Sequence, residues 1–110
     1  MKWIEIITLR SLIKANRQLA DELLRQVFQQ KEEDHTASIK VYHDPMVETD
    51  LSIHILWETE TQPLSESNLG QQMLFGLNGL GQISYSMWVE ATPTAKPFAG
   101  FEHTIIKQRI

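Results

Sequence analysis

Alternation of apolar and polar positions is clearest in residues 50–60, DLSIHILWETE. Side chains alternate between the two faces of a strand, so this segment predicts a strand with two different faces. One face is apolar throughout and consists of Leu51, Ile53, Ile55 and Trp57. The other face is mixed and carries His54 in mid-strand. We expect the first face to pack on helices and the second to line a subunit interface or a ligand cavity.

Three other segments have strand patterns, at residues 2–10, 37–43 and 82–90. The first is apolar or β-branched almost throughout, which predicts a central strand covered on both faces. The turn between residues 43 and 49 is too short for a helix, so the strands on either side of it should form an antiparallel hairpin.

Between the strands the period changes to that of a helix. The first helical stripe contains Leu19, Ala20, Leu23, Leu24, Val27 and Phe28. Either Asn16 or Ser11 is a suitable N-cap residue.

A second helix is predicted to begin at the Ser-Glu-Ser cluster of residues 65–67, and Gly79 and Gly81 are suited to end it. Its stripe contains Leu69, Met73, Leu74, Leu77 and Leu80. Gly70 and Gly76 inside this helix are consistent with a close approach to the sheet or a ligand, or simply with loose packing.

The order β-α-β-β-α-β predicts an α+β, ferredoxin-like sandwich, with a four-stranded antiparallel sheet and both helices on one face. Residues 1–110 are expected to form a single domain, with a core at 2–90 and a C-terminal extension at 91–110. Within the extension, the sequence FEHTIIKQRI predicts a short extra strand. It would pair with its own sheet or with another subunit.

Composition narrows the function classes. A net charge of −4 gives no basic field for nucleic acid, and the absence of cysteine excludes disulfides and thiolate chemistry. No apolar run approaches the roughly 18 residues of a membrane span, and the N-terminus has no signal-peptide pattern. We therefore expect a cytoplasmic protein with no nucleic-acid or membrane partner.

The residues predicted on the sheet face away from the helices indicate how the protein assembles. We assign to it Trp3, Glu5, Ile7, Leu9, Lys40, Tyr42, Ser52, His54, Leu56, Glu58, Ser84, Ser86 and Trp88. This set is too apolar to leave in water and too polar for a dry core. A second copy packed sheet to sheet would cover it, which predicts a homodimer with a wet or ligand-filled gap.

The element order, the LSIHILWE strand and the GLGQISYSMWVE passage resemble the dimeric α/β-barrel superfamily, and within it small proteins similar to antibiotic biosynthesis monooxygenases. The resemblance covers residues 2–90. It implies a dimer formed through the sheets, with a cleft between sheet and helices in each subunit. Members include cofactor-free quinone-forming monooxygenases, haem-degrading enzymes, isomerases and proteins without known activity, so the resemblance alone names no reaction.

The haem-degrading branch uses an asparagine on the first strand, a tryptophan on the third and a histidine on the second helix. Trp57 matches the tryptophan. Residues 2–10 contain no asparagine and residues 65–81 no histidine, so we predict no haem and no other cofactor.

His54 is the first candidate for acid/base catalysis, because histidine titrates near neutral pH. Glu5, if on the same face, could orient the imidazole as a carboxylate partner. The structural alternative is a hydrogen-bonded interface histidine and an ion-paired glutamate. That alternative is the more common arrangement.

Tyr42, Trp57 and Trp88 are candidates for stacking on an aromatic substrate, and Ser86 for a hydrogen bond to it. More often such residues serve as interface anchors or spacers. A group of metal-ligand residue types occurs at His35, His43, Asp44 and Glu48. It lacks any recognised ligand spacing, so no metal site is predicted.

Two functional hypotheses remain. The first is a cofactor-independent monooxygenase-like or isomerase-like enzyme acting on a small aromatic or polyketide-type substrate. The second is a non-enzymatic module for small-molecule binding or assembly, in which the same residues only hold the dimer.

Overall fold

Six elements follow one another in the order β1, α1, β2, β3, α2, β4 in the computed structural model, which describes residues 1–31 and 37–91. Their bounds are β1 Lys2–Arg10, α1 Lys14–Lys31, β2 Ala37–His43, β3 Asp50–Glu58, α2 Asn68–Leu77 and β4 Gln82–Val89. The predicted order and strand positions are confirmed. The extra strand expected at 101–110 and the candidate ligand His35 lie outside the described residues.

The four strands form one antiparallel sheet in the order β2-β3-β1-β4. This is the ferredoxin-like topology that the element order predicts. β1 and β3 are the central pair and are matched along their whole length, from Lys2 opposite Glu58 to Arg10 opposite Asp50. At that second end the Arg10 guanidinium is 3.0 Å from the Asp50 carboxylate.

Helix α1 begins earlier than the apolar stripe predicts, at Lys14. Its buried line is Ala20, Leu24 and Val27, which matches the period of a helix. Leu19 and Phe28, predicted on the same stripe, lie at its margins and are exposed. Although α1 has 18 residues, no described helix combines sufficient length with the apolar character needed to cross a bilayer.

Helix α2 begins at Asn68, because Ser67, the last residue of the predicted start signal at 65–67, caps its N-terminus. The Ser67 Oγ accepts a hydrogen bond from the Gly70 amide at 2.9 Å. After the last turn the chain reverses through Gly79, whose φ of +91° favours glycine. At Gly81 a β-carbon would lie 2.4 Å from the Arg10 carbonyl oxygen, so only glycine permits this approach to β1.

The core lies between the sheet and the two helices. Its fully buried side chains include Ile7, Leu9, Ile53, Ile55, Met73 and Leu77. The prediction for β3 is therefore confirmed, since its odd-numbered residues up to Ile55 are buried beneath the helices.

The prediction for β1 is wrong in its choice of face. Glu5 is paired with Ile55, so it lies on the helix side of the sheet, as do Trp3, Ile7 and Leu9. Ile4, Ile6 and Thr8 occupy the opposite face instead. Glu5 tolerates the interior because hydrogen-bond donors surround its carboxylate there.

Truncation of Leu9 to alanine should lower the free energy of unfolding by about 2 to 5 kcal/mol, because the side chain is 1% exposed and leaves a cavity. Leu64→Ala is the matched control: Leu64 is 100% exposed, and its truncation should change stability by less than about 0.5 kcal/mol. Urea unfolding of both variants measures the difference. Equal effects would contradict the described core.

Candidate functional site

A buried carboxylate connects the sheet to helix α2. Glu5 on β1 has no solvent exposure, and each of its oxygens accepts two hydrogen bonds. Oε1 accepts from the Trp57 indole N–H at 2.8 Å and from the Ser67 hydroxyl at 2.6 Å. Oε2 accepts from the Ser67 amide at 2.9 Å and from the Tyr85 hydroxyl at 2.7 Å. We call Glu5 and these three donor residues the Glu5 network.

The Glu5 network stabilises the start of α2. A buried carboxylate is costly unless donors replace its water, and charge-assisted hydrogen bonds are the strongest replacement. The N-terminus of a helix also carries a partial positive charge that favours an anion. The helix can come this close only because residue 70 is glycine, since a β-carbon there would lie 2.6 Å from Glu5 Oε2.

Tyr85 of β4 was not among the predicted site residues, although its alternation with Ile83 and Met87 places it on the helix face. Burial raises the pKa of the Tyr85 hydroxyl above its ordinary value of 10.0, and the hydrogen bond to Glu5 and that carboxylate's negative charge raise it further. The phenol therefore keeps its proton and donates a hydrogen bond to Glu5.

His54 lies on the other face of the sheet, so Glu5 cannot orient it. The imidazole is half-buried, and its Nε2 is 2.9 Å from the Ser52 hydroxyl. The ring of Tyr42 on β2 lies beside it, with ring centroids 4.7 Å apart and a tilt of 55°. Among the described residues these are the partners of His54, and none of them is a carboxylate.

We call the sheet surface opposite the helices the open face. In addition to His54 and its neighbours, it carries Ile4, Ile6, Thr8, Leu56, Ser84, Ser86 and Trp88. Trp88 is 62% exposed, and its indole N–H donates to the Ser86 hydroxyl at 3.0 Å. Thr8 and Ser84 join their hydroxyls in a hydrogen bond. Ser86 therefore holds Trp88 in place, a contact that alternation alone did not reveal.

A groove of about 720 Å³ lies at the end of the sheet where β1 begins and β3 ends. Its lining brings together side chains from both faces: Lys2, Trp3, Ile4, Ala37, Ser38, Leu56, Trp57, Glu58, Trp88, Val89 and Glu90. We call it the indole groove, because all three tryptophans of the chain line it.

The indoles of the groove are fixed by the chain itself. The rings of Trp3 and Trp57 stack with centroids 5.4 Å apart and planes 15° apart. The Trp3 N–H donates to the Thr59 hydroxyl at 2.9 Å, while that of Trp57 is held by Glu5. Since the Trp88 N–H is also engaged, the groove offers aromatic surface rather than indole donors.

The predicted site residues thus separate into three places. Trp57 and Trp88 line the indole groove, Trp88 from the open face; His54, Tyr42 and Ser86 lie elsewhere on the open face; Glu5 lies in the interior. Nothing in the alternation of β1 distinguishes Trp3 as a groove residue. Among the described residues, no three side chains of metal-ligand type cluster together.

Comparison with known proteins supports the fold. Neither a protein-family model nor a curated protein sequence matches the chain. Similar solved structures include a provisionally assigned antibiotic biosynthesis monooxygenase from Nitrosomonas europaea, with a TM-score of 0.60 and 10% identity, covering 86% of this chain and 94% of that one. Another is a conserved protein of unknown function from Bacteroides thetaiotaomicron, described as a possible oxidoreductase, with a TM-score of 0.57 and 8% identity, covering 79% and 94%. At such identities the likeness shows the fold alone. It confirms the resemblance inferred from the sequence as far as the fold is concerned.

Replacement of Gly70 by alanine should lower the free energy of unfolding by about 2 to 3 kcal/mol, because the new methyl group overlaps the Glu5 carboxylate. Gly76→Ala on the same helix is the control. Its methyl group meets only the movable end of Leu23, and alanine gains up to about 1 kcal/mol of helix propensity. Chemical denaturation of both variants should separate them, and a Gly70→Ala protein as stable as the wild type would contradict the close approach.

The raised pKa of Tyr85 predicts alkaline destabilisation. At pH values below the ordinary pKa of tyrosine, the Tyr85 hydroxyl makes its full contribution to the free energy of unfolding. At higher pH the unfolded chain loses the Tyr85 proton while the folded chain retains it, so the free energy of unfolding falls as pH rises. Between pH 8.5 and 11 the loss should be up to about 1.4 kcal/mol. Urea unfolding of Tyr85→Phe should show a correspondingly flatter pH dependence, whereas Tyr42→Phe, at the exposed tyrosine, should keep the wild-type slope. A wild-type slope in both variants would contradict the assignment.

Proposed function

We propose that the protein is a homodimer with its open faces packed together, and that it binds a planar aromatic molecule in the indole groove. The observation that carries the proposal is the aromatic surface that Trp88 presents where the groove meets the open face. Tyr42, at 49% exposure, adds to the apolar area of the same face. Exposed apolar surface of this kind is typical of an interaction site.

The chemistry of the groove favours a ligand recognised by its rings. Its volume of about 720 Å³ lies within the usual range for small-molecule sites, roughly 300 to 1,000 Å³. The indole N–H groups are already bonded, so stacking supplies the affinity. Lys2, Glu58 and Glu90 at its border are the charged groups that would orient polar substituents.

The first activity that we propose is cofactor-independent oxygenation. A CH2 group flanked by aryl rings reacts with O2 to give a ketone and water, after a base removes a proton from that carbon. His54 is the proposed base. His54 lies on the same face of β3 as Leu56, which lines the groove. The two residues are two positions apart on the strand, a distance of about 7 Å. Neutral imidazole is the form that accepts a proton.

A second candidate function, binding without turnover, is favoured by the contacts of the two predicted catalytic residues. Glu5 is committed to four hydrogen bonds that hold α2 and the sheet. The hydrogen bond of His54 is to Ser52, and no described carboxylate orients its imidazole. Under this alternative the groove binds its ligand and the open face only assembles the dimer.

Titration with 1,8-dihydroxyanthrone tests both functions. Under argon, quenching of tryptophan fluorescence should report binding, and Trp88→Ala should weaken it about tenfold through the loss of a stacking surface. Phe75→Ala is the control, because Phe75 is exposed on α2 and does not line the groove. Absence of binding by the wild-type protein would contradict both functions.

The reaction with air then distinguishes them. Oxygen uptake with formation of the quinone, lost in His54→Gln while binding persists, would support oxygenation. Conversion of the ligand without oxygen uptake would indicate isomerase-like chemistry. Binding with no conversion would support the second function.

A further inference from the structure

His54 occupies the centre of the open face. β1 and β3 are the two central strands, and Ile6 and His54 are the middle residues of their nine-residue spans, paired with each other across the sheet. In a dimer with two-fold symmetry, residues near the axis face their own copies. If the open faces overlap fully, His54 and Ile6 of one subunit therefore lie against the same pair of the other.

The charges near this centre are positive. Lys40 on β2 lies directly opposite His54 in the register, and Tyr42 is its aromatic neighbour. β1 places Ile6 beside it, and the next strand contributes Ser86, neither of which ionises near neutral pH.

The charged groups farther out on the open face are Lys2, Arg10, Asp50 and Glu58, with Glu90 beside Lys2 just beyond β4. Asp50 and Glu58 are each four residues from His54 along β3, or about 13 Å. Asp50 is already paired with Arg10. No described carboxylate of the same subunit is therefore near enough to compensate a charge on the imidazole.

We infer that acidification separates the subunits because protonation of His54 brings like charges together at the centre of the interface. This inference rests on the proposed dimer. The two imidazoles would meet there, each with the Lys40 of its own subunit beside it, and protonation would be favoured in the free subunit. Association is then strongest when the imidazoles are neutral and weakens as the pH falls.

The size of the effect follows from linkage. Each proton that the free subunits bind and the dimer excludes changes the dissociation constant by up to about tenfold per pH unit. The two imidazoles of a dimer contribute together, so the dissociation constant rises as the pH falls from 7.5 to 6.0. The isoelectric point is about 5.5, so the protein keeps a net negative charge at pH 6.0.

Sedimentation equilibrium of the full chain at pH 7.5 and pH 6.0 tests the inference, with circular dichroism to verify that the fold persists. The wild-type dissociation constant should rise several-fold, and that of His54→Gln should change less than 2-fold. His43→Gln is the matched control, because His43 is exposed at the end of β2, and it should retain the wild-type response.

A second variant keeps the test decisive if His54→Gln fails to assemble. Lys40→Glu places a carboxylate beside His54 and should abolish or reverse the weakening at pH 6.0. A wild-type dimer with equal affinity at both pH values, or an unchanged response in Lys40→Glu, would overturn the inference while leaving the proposed dimer intact. A monomer at pH 7.5 would overturn both.

Discussion

The burial of the Glu5 carboxylate is the constraint on which the rest of the structure depends. A charge with no access to water persists in a protein interior only if donors replace its hydration. Here the donors come from β3, from β4 and from the start of α2, so satisfying one side chain fixes three elements relative to β1. The same hydrogen bonds orient the Trp57 ring, and with it one wall of the indole groove.

This arrangement gives the two faces of the sheet different properties. On the helix face, polar atoms are paired within the chain and Gly70 allows α2 to close over them. On the open face, Trp88 and Tyr42 remain exposed beside hydroxyl groups and His54. The interior is therefore held by hydrogen bonds within the chain, while the opposite surface leaves aromatic side chains exposed. The indole groove lies where the two meet.

Much of the fold follows from local pattern, whereas the candidate site does not. Alternation identifies all four strands, and their order with the helices determines the sheet topology. Which face of β1 is buried could not be deduced from the sequence, because Ile4 and Ile6 are as apolar as Ile7 and Leu9, and Glu5 lies among the latter. The register with β3 decides the matter. The partners of Glu5, Ser67 and Tyr85, are 62 and 80 residues away, and no local pattern connects them.

Those long separations bear on how the chain acquires its structure. β1 is the first of the described strands to be synthesised. The Tyr85 hydroxyl, which completes the hydrogen bonds around the Glu5 carboxylate of β1, belongs to the last described strand. Contacts between distant parts of a sequence must overcome loop-closure entropy before they contribute energy, so topologies rich in them fold slowly. The hydrogen bonds around the Glu5 carboxylate are therefore complete only when β4 has docked beside β1.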